Sequence, residues 1–537
     1  MARKTFDVGN AVGSFFASAK RRSTNVDSIG AMVDGSNAYL GILGRRKQLY
    51  LLLIHAAKIG IFGTMRNIFL FLQVISIRMK ADVKVILFSL TAALLFLSPI
   101  QQATGLFRFK KLYGAMEEQP KPQLTAQHWL DHSFQDGAEA YLQQHYGFRE
   151  PLTRLYNQYL WDCYGMTFAK ERNWVFVSDD GWYYESGYVQ EYYEGNSWKY
   201  ASDSLQMANI LGREALMLSQ TQQILDSMGI HLFVLLEPGK ELIYPEHVPA
   251  NTLYHREKVF SAHEFLHQRF EDLGIHYIDA GEWFLQMKDT VDFPLFPQSG
   301  THWSNLAAMY VADSLIHYME HWGNVNIQNF TIGKKYVKTK EPDNDLEEWL
   351  NLIRPLKGEP NYYAKTRLVD DPTAKKPRLI TIGDSFYWNI LNHTPFKKIF
   401  GGTPYWYYFS STYFDGPDGN VVDIDLLEKV AEADFIMLAY STPQQYELSN
   451  GFAQRFLMEW CYNDEEIEPL KQEMKERIRN DKAWMAGIEK KAENDGLSVD
   501  SVLNKENHYF IKTAPTSASL LWPTALRSNS QAKPSVS

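Results

Sequence analysis

Ser385 follows the strand-like run Arg378-Leu-Ile-Thr-Ile382 through Gly383 and Asp384. In an open α/β sheet the loops at the carboxyl ends of the strands converge. Such a corner would project a serine hydroxyl beside backbone N–H groups able to hold an oxyanion. Gly383 is expected to permit a tight turn there. The same tripeptide also reads as an ordinary strand-to-helix turn with Asp384 or Ser385 as a helix N-cap. A serine nucleophile needs a base, most often histidine. His302 stands in the polar loop Pro297-Gln-Ser-Gly-Thr-His-Trp-Ser304, just ahead of a helix, which suits an accessible imidazole. His393, in the helix after Ser385, reads better as a surface residue. Lys240, beyond the run Leu232–Leu236, lies at another strand end. It reads either as electrostatic support for a substrate or as a solvated loop lysine.

A second arrangement competes. His263-Glu-Phe-Leu-His267 matches the pattern in which two histidines one helical turn apart bind zinc and the glutamate (here Glu264) activates water. The pattern is short, and its helix, Arg256–Leu273, carries the apolar stripe Val259, Ala262, Leu266 and Phe270 of a crossover helix. No third ligand follows, so the serine site ranks above a zinc peptidase and no metal is expected.

Together, Gly383-Asp-Ser-Phe386 and Thr301-His-Trp-Ser304 resemble the SGNH-fold alginate O-acetyltransferase family of the AlgJ and AlgX type. The likeness takes in Tyr146-Gly-Phe-Arg149, Asp180-Gly-Trp182, Pro238-Gly-Lys240 and Tyr244-Pro-Glu246, and spans roughly 115–460. It implies that Ser385 accepts an acetyl group and passes it to a hydroxyl of a bacterial exopolysaccharide, with His302 as base and then acid. It also implies a polysaccharide acceptor, a membrane-bound acyl carrier of the multi-pass O-acyltransferase type, and a catalytic domain held outside the cytoplasm by one inner-membrane anchor. The family pattern reads Asp-Thr-His-Trp, with the Asp orienting the His; this sequence has Gly300 in that place. A Ser–His dyad, a backbone carbonyl, or another acid such as Asp384 or Glu237 would then have to serve. The alternatives are an esterase or deacetylase of the same fold and a non-catalytic glycan-binding assembly protein.

The elements that must position these residues read as alternating helix and strand from about residue 200. Helical spacing covers Ser202–Met228, Arg256–Leu273 and Ser304–Glu320, the last capped by Ser304. Ile230–Leu236, Ile275–Ile278, Arg378–Ile382 and Phe435–Ala439 are short apolar runs. Strands apolar throughout are covered on both faces, which implies a parallel sheet in an α/β layer fold; the resemblance implies that this is the three-layer SGNH-hydrolase-like form. Trp174–Tyr184 reads as a hairpin turning at Asp180-Gly181, and His128–Tyr164 as helical. Tyr405–Phe409 reads as a further buried strand; it and the aromatics at 182–184 and 192–193 are compatible with sugar binding without arguing for it. Asp464–Gly496 reads as charged helix within a C-terminal helical segment, 461–513, before a Ser/Pro/Ala-rich tail, 514–537, expected to be disordered.

Composition bounds the rest. Of 537 residues, 45% are hydrophobic and 22% charged, which excludes general disorder. A net charge of −9 argues against a nucleic-acid partner, although residues 1–78 form a basic extension. That extension shows little sign of a packed domain, and Met79 is a candidate natural start. The run Val85–Ile100, behind Lys80 and Lys84, reads as an uncleaved signal anchor, 79–105, facing the following chain outward. Two distant cysteines, Cys163 and Cys461, exclude a disulfide scaffold and a thiolate zinc site. No glycine-rich nucleotide fingerprint is present, so no cofactor is expected.

Overall fold

Successive side chains of a strand point to opposite faces, so a strand that is apolar at every position needs a layer of structure on both sides. The computed structural model describes residues 81–513 apart from 115–118, 166–174, 195–203, 249–259, 339–342, 355 and 357–358. The basic extension and the C-terminal tail therefore lie outside the described residues, as do Arg256–Val259 at the start of the expected crossover helix. The chain divides into two units, one of residues 1–109 with 117–149 and one of 110–116 with 150–537.

The larger unit opens with a ribbon of β1 (Val175–Val177) and β2 (Tyr183–Glu185), paired antiparallel around a turn in which Gly181 has φ 85°. Then come β3 (His231–Glu237) and β4 (Tyr277–Asp279). Two small ribbons follow: β5 (Phe330–Ile332) pairs with β8 (Thr366–Leu368), and β6 (Tyr336–Lys338) with β7 (Asn361–Tyr363). Last are β9 (Leu379–Gly383), β10 (Tyr405–Tyr407), β11 (Ser411–Tyr413), β12 (Gly419–Asn420) and β13 (Phe435–Ser441). Seven of these strands form one sheet in the order β12-β11-β10-β9-β13-β3-β4. Its middle and one flank are parallel, from β10 through β9, β13 and β3 to β4. The other edge turns antiparallel at β11 and β12. The sheet is therefore parallel through its centre, as expected, and mixed at one edge, because short connections after β10 return the chain directly.

Alternation along the strands builds two cores. Leu232, Val234 and Leu236 of β3 join Ile436 and Leu438 of β13 on one face, beneath helices Ser204–Ser227, Ala262–Leu273 and Phe452–Cys461. Phe233 and Leu235 join Met437 and Ala439 on the other, with Trp303, helix Asn305–Gly323 and helix Tyr387–His393. This is the three-layer α/β arrangement, with the carboxyl ends of β3, β9 and β13 at one rim.

Three expectations change. His128–Tyr164 is not continuous but forms helices Ala126–Leu130, Ser133–His145 and Arg149–Tyr164, since His132 (φ 66°) and Phe148 (φ 64°) adopt left-handed conformations that a helix cannot pass through. Asp464–Gly496 breaks at Asp481, which is extended and whose carboxylate accepts from the N–H groups of Ala483 and Trp484 (2.9 and 3.0 Å), so the chain runs as helices Asp464–Asn480 and Lys482–Asp495 followed by Val499–Thr513. Only the first three residues of Tyr405–Phe409 are strand; Tyr408 and Phe409 leave it with positive φ.

In the smaller unit, Val83–Thr104 is the one helix among the described residues long and apolar enough to cross a membrane, and its side chains are largely exposed. Ser98 Oγ donates to the Gly147 carbonyl (3.0 Å). A Cβ on Gly147 would lie 2.2 Å from the Ser98 carbonyl oxygen, so glycine is required at this contact.

Candidate active site

Ser385 owes its position to the turn that ends β9. Gly383 is required there by crowding rather than by a special φ, which corrects the tight-turn expectation: a Cβ would fall 2.5 Å from the Ala439 carbonyl oxygen of β13. Asp384, next in line, is buried and acts as a clamp. Its carboxylate accepts from the Ser441 N–H (2.8 Å), the Ser441 hydroxyl (2.5 Å) and the Phe386 N–H (3.0 Å). The Tyr405 hydroxyl donates to its carbonyl. These bonds tie β9, β10 and β13 together at the corner, with Ser385 at its tip. The Ser385 N–H donates to no protein acceptor among the described residues.

His302 is brought in by its neighbour. Trp303 is fully buried, donates from Nε1 to the Phe386 carbonyl (3.2 Å), and accepts at its own carbonyl from Asn389 Nδ2 (3.1 Å). Ser304 then caps the helix Asn305–Gly323 by accepting from the Ala307 N–H. The histidine loop is thus bolted to the serine corner, and His302 Nε2 lies 2.8 Å from Ser385 Oγ. On its other side, His302 Nδ1 stands 3.4 Å from Asp345 Oδ2. These partners set the tautomer: Nδ1–H faces the carboxylate and Nε2 accepts from the serine. Burial alone would favour neutral imidazole. The hydrogen bond and charge of Asp345, reinforced by Asp384 and Glu185, outweigh it and raise the His302 pKa above its ordinary value.

Asp345 was not singled out from sequence. It opens the short helix Asp345–Trp349, where its other oxygen accepts from the N–H groups of Thr301 (2.8 Å) and Leu346 (3.0 Å). Neither Asp384 nor Glu237 faces His302 in its place. Glu237 is wholly buried at the end of β3 beside Asp384, and burial with that neighbouring charge pushes its pKa up. Gly300 itself has no room for a side chain: a Cβ there would meet the Asp343 carbonyl oxygen at 2.6 Å and Pro297 Cγ at 2.8 Å. The only sequence signal for Asp345 was an acid-rich helix start, Asp343-Asn-Asp-Leu-Glu-Glu348, with nothing to tie it to His302.

Lys240 is 3% exposed and does not line the cleft, contrary to a substrate-facing or solvated role. Its Nζ donates to the carbonyls of Tyr183 (2.9 Å) and Gln298 (3.2 Å) and lies over the rings of Trp182 and Tyr184. It therefore joins the β1–β2 ribbon to the His302 loop, and burial pushes its pKa down to about 7. His393 closes its helix away from the cleft lining. The cleft over Ser385 and His302 encloses 490 Å³ and is walled by Tyr188, Gln190, Trp349, Tyr408 and Gln444. Glu185, also in its wall, is pushed up to about 7 by burial and the Asp345 charge.

The histidines of the rival motif face one carboxylate: His263 Nε2 is 2.9 Å and His267 Nδ1 3.3 Å from Asp279 Oδ2. Among the described residues no group of three or more His, Cys, Asp or Glu side chains is arranged to hold a metal ion. Cys163 and Cys461 are both unpaired and exposed.

At this site a serine at the end of a central parallel strand faces a histidine from a preceding loop. Residues 175–387 match the family model described as SGNH hydrolase-like domain, acetyltransferase AlgX. Among solved structures the chain is similar to the O-acetyltransferase domain of Pseudomonas putida AlgJ, at 14% identity over 51% of this chain and 92% of that one, with a TM-score of 0.34. It is also similar to Pseudomonas aeruginosa AlgX, at 14% identity over 52% of this chain and 66% of that one, with a TM-score of 0.36. No curated protein matches the chain in sequence.

Proposed function

We propose that this protein is an O-acyltransferase that moves acetyl groups onto a bacterial exopolysaccharide, with Ser385 as nucleophile, His302 as base and Asp345 as the acid that orients it. The observation carrying this reading is the 2.8 Å contact between Ser385 Oγ and His302 Nε2 at the floor of an open cleft. In the first half-reaction the serine proton passes to His302 Nε2 as Oγ bonds to the carbonyl carbon of an acetyl donor. The tetrahedral intermediate collapses, the leaving oxygen takes the proton from His302, and acetyl-serine remains. In the second half a sugar hydroxyl yields its proton to His302, attacks the same carbonyl, and leaves as the acetyl ester while Ser385 regains its proton. Asp345 stabilises the imidazolium in both halves and is not itself protonated.

The helix Val83–Thr104 supports single-pass anchoring in the inner membrane with the catalytic domain outside the cytoplasm. A donor there calls for a membrane-bound carrier that brings the acyl group across, since acetyl-CoA is cytoplasmic. Ser385→Ala should abolish glycan acetylation in cells and turnover of an acetyl-ester donor in vitro. Unchanged acetylation in that variant would overturn the proposal. Acetate release that ignores added glycan would instead assign the same site to an esterase.

A further inference from the structure

β10 ends in a costly way. Two successive bulky residues, Tyr408 (φ 49°) and Phe409 (φ 46°), occupy the left-handed region that glycine or asparagine would fill without strain. Their surroundings hold them there. Phe409 is buried with its ring 6.0 Å from Trp406 and 5.7 Å from Phe452, and the Tyr408 N–H donates to the Gly383 carbonyl at 2.8 Å. The outcome is that Tyr408 joins the cleft wall beside Ser385 and His302. Strain that serves to aim one side chain at a reacting atom is characteristic of functional positions.

On the acyl-transfer reading above, the geometry points to Tyr408 as a catalytic residue whose hydroxyl donates to the oxyanion of the tetrahedral intermediate. When Ser385 Oγ bonds to the acetyl carbon and its proton moves to His302, the carbonyl electron pair moves onto the oxygen. The Ser385 N–H and the Tyr408 O–H then both donate to that oxygen, and no proton leaves the phenol. Collapse returns the pair to the C–O bond as the leaving oxygen takes the proton from His302. The same two donors serve when the sugar hydroxyl attacks. Burial, together with the charge of Asp384, holds the phenol pKa well above its ordinary value, so the hydroxyl stays a donor across the working pH range.

The test is Tyr408→Phe in the full-length protein, which keeps the ring and loses only the hydroxyl. Turnover of an acetyl-ester donor should fall roughly 10²-fold in kcat with little change in KM, the loss typical of one oxyanion donor. Affinity for an alkylboronic acid, which forms a tetrahedral adduct on the serine, should fall by a similar factor. Tyr310→Phe, which alters an exposed hydroxyl outside the cleft wall, should stay within about threefold of the parent. Retained kcat in Tyr408→Phe, or lost kcat with undiminished boronate affinity, would overturn the assignment. If Tyr408→Phe does not melt like the parent, 4-fluorophenylalanine at 408 fills the space without an O–H donor, and unchanged kcat and boronate affinity there would be equally fatal. Full activity in Ser385→Ala would bring down the acyl-transfer reading itself, whereas activity lost in Ser385→Ala but kept in Tyr408→Phe removes only this one.

Discussion

Of the histidine–carboxylate pairs in this domain, His263–Asp279 and His302–Asp345 make the useful comparison, and the closer of these two is not the one in the cleft. His263 lies 2.9 Å from Asp279, while His302 lies 3.4 Å from Asp345. The difference is in the second ring nitrogen. His302 Nε2 meets Ser385 Oγ at 2.8 Å in an open cleft, whereas His263 Nδ1 is buried and meets no hydrogen-bonding partner among the described residues. A histidine–carboxylate pair is common packing chemistry. It becomes a candidate relay only when the free nitrogen is aimed at a nucleophile that a substrate can reach.

That contrast can be broken from either side. The largest effect is expected at the nucleophile and base, where Ser385→Ala or His302→Ala should each reduce acyl transfer by more than about 10³-fold, measured as acetyl-ester turnover. Asp345→Asn should cost roughly 10²- to 10⁴-fold in kcat, because the amide no longer selects the tautomer or stabilises the imidazolium. Its pH profile gives the sharper check. Asp345 raises the His302 pKa, so in the parent the neutral base accumulates, and kcat/KM climbs, only as pH rises past the ordinary imidazole range. Removing the charge should move that climb to lower pH; an unmoved limb would mean Asp345 does not act on His302.

Gly300→Asp installs the acid where the family resemblance expects it. Because a side chain there runs into the Asp343 carbonyl oxygen, the variant should lose about 1–3 kcal/mol of stability in chemical denaturation and gain no activity. The smallest effect on chemistry belongs to the other pair. His263→Ala should leave transfer within about twofold, yet cost about 1–3 kcal/mol by removing the closest partner of the buried Asp279 carboxylate, which keeps His267 and the Glu282 N–H. Burial works to raise the Asp279 pKa, but the bond and charge of His263 outweigh it and depress it. The stability this contributes is present above the unfolded carboxylate value and disappears as pH falls through the folded one. Acid denaturation curves of parent and variant should therefore converge at low pH.

Much of the fold was legible because buried strands and amphipathic helices write periodic patterns. Ile230–Leu236 overlaps β3 from His231 onward, Phe435–Ala439 falls within β13, and the Ser304 cap stands at the start of its helix. The antiparallel edge at β11 and β12 left no such mark, since three- and two-residue strands carry too little periodicity. Nor did the breaks at His132, Phe148 and Tyr408, where tertiary contacts hold residues in conformations their types disfavour.

Local chemistry marked Ser385 as a strand-end hydroxyl and His302 as an accessible imidazole, because Gly-Asp-Ser after an apolar run and a polar loop before a capped helix are written within a few residues. Their contact, and the choice of Asp345 over Gly300, Asp384 and Glu237, belongs to the tertiary structure. Those residues come from separate loops gathered at one rim of the sheet, and no local pattern encodes which distant carboxylate arrives. Packing made that choice: Trp303 locks against Phe386, the Asp343 carbonyl fills the space over Gly300, and Asp345 is left as the acid beside His302.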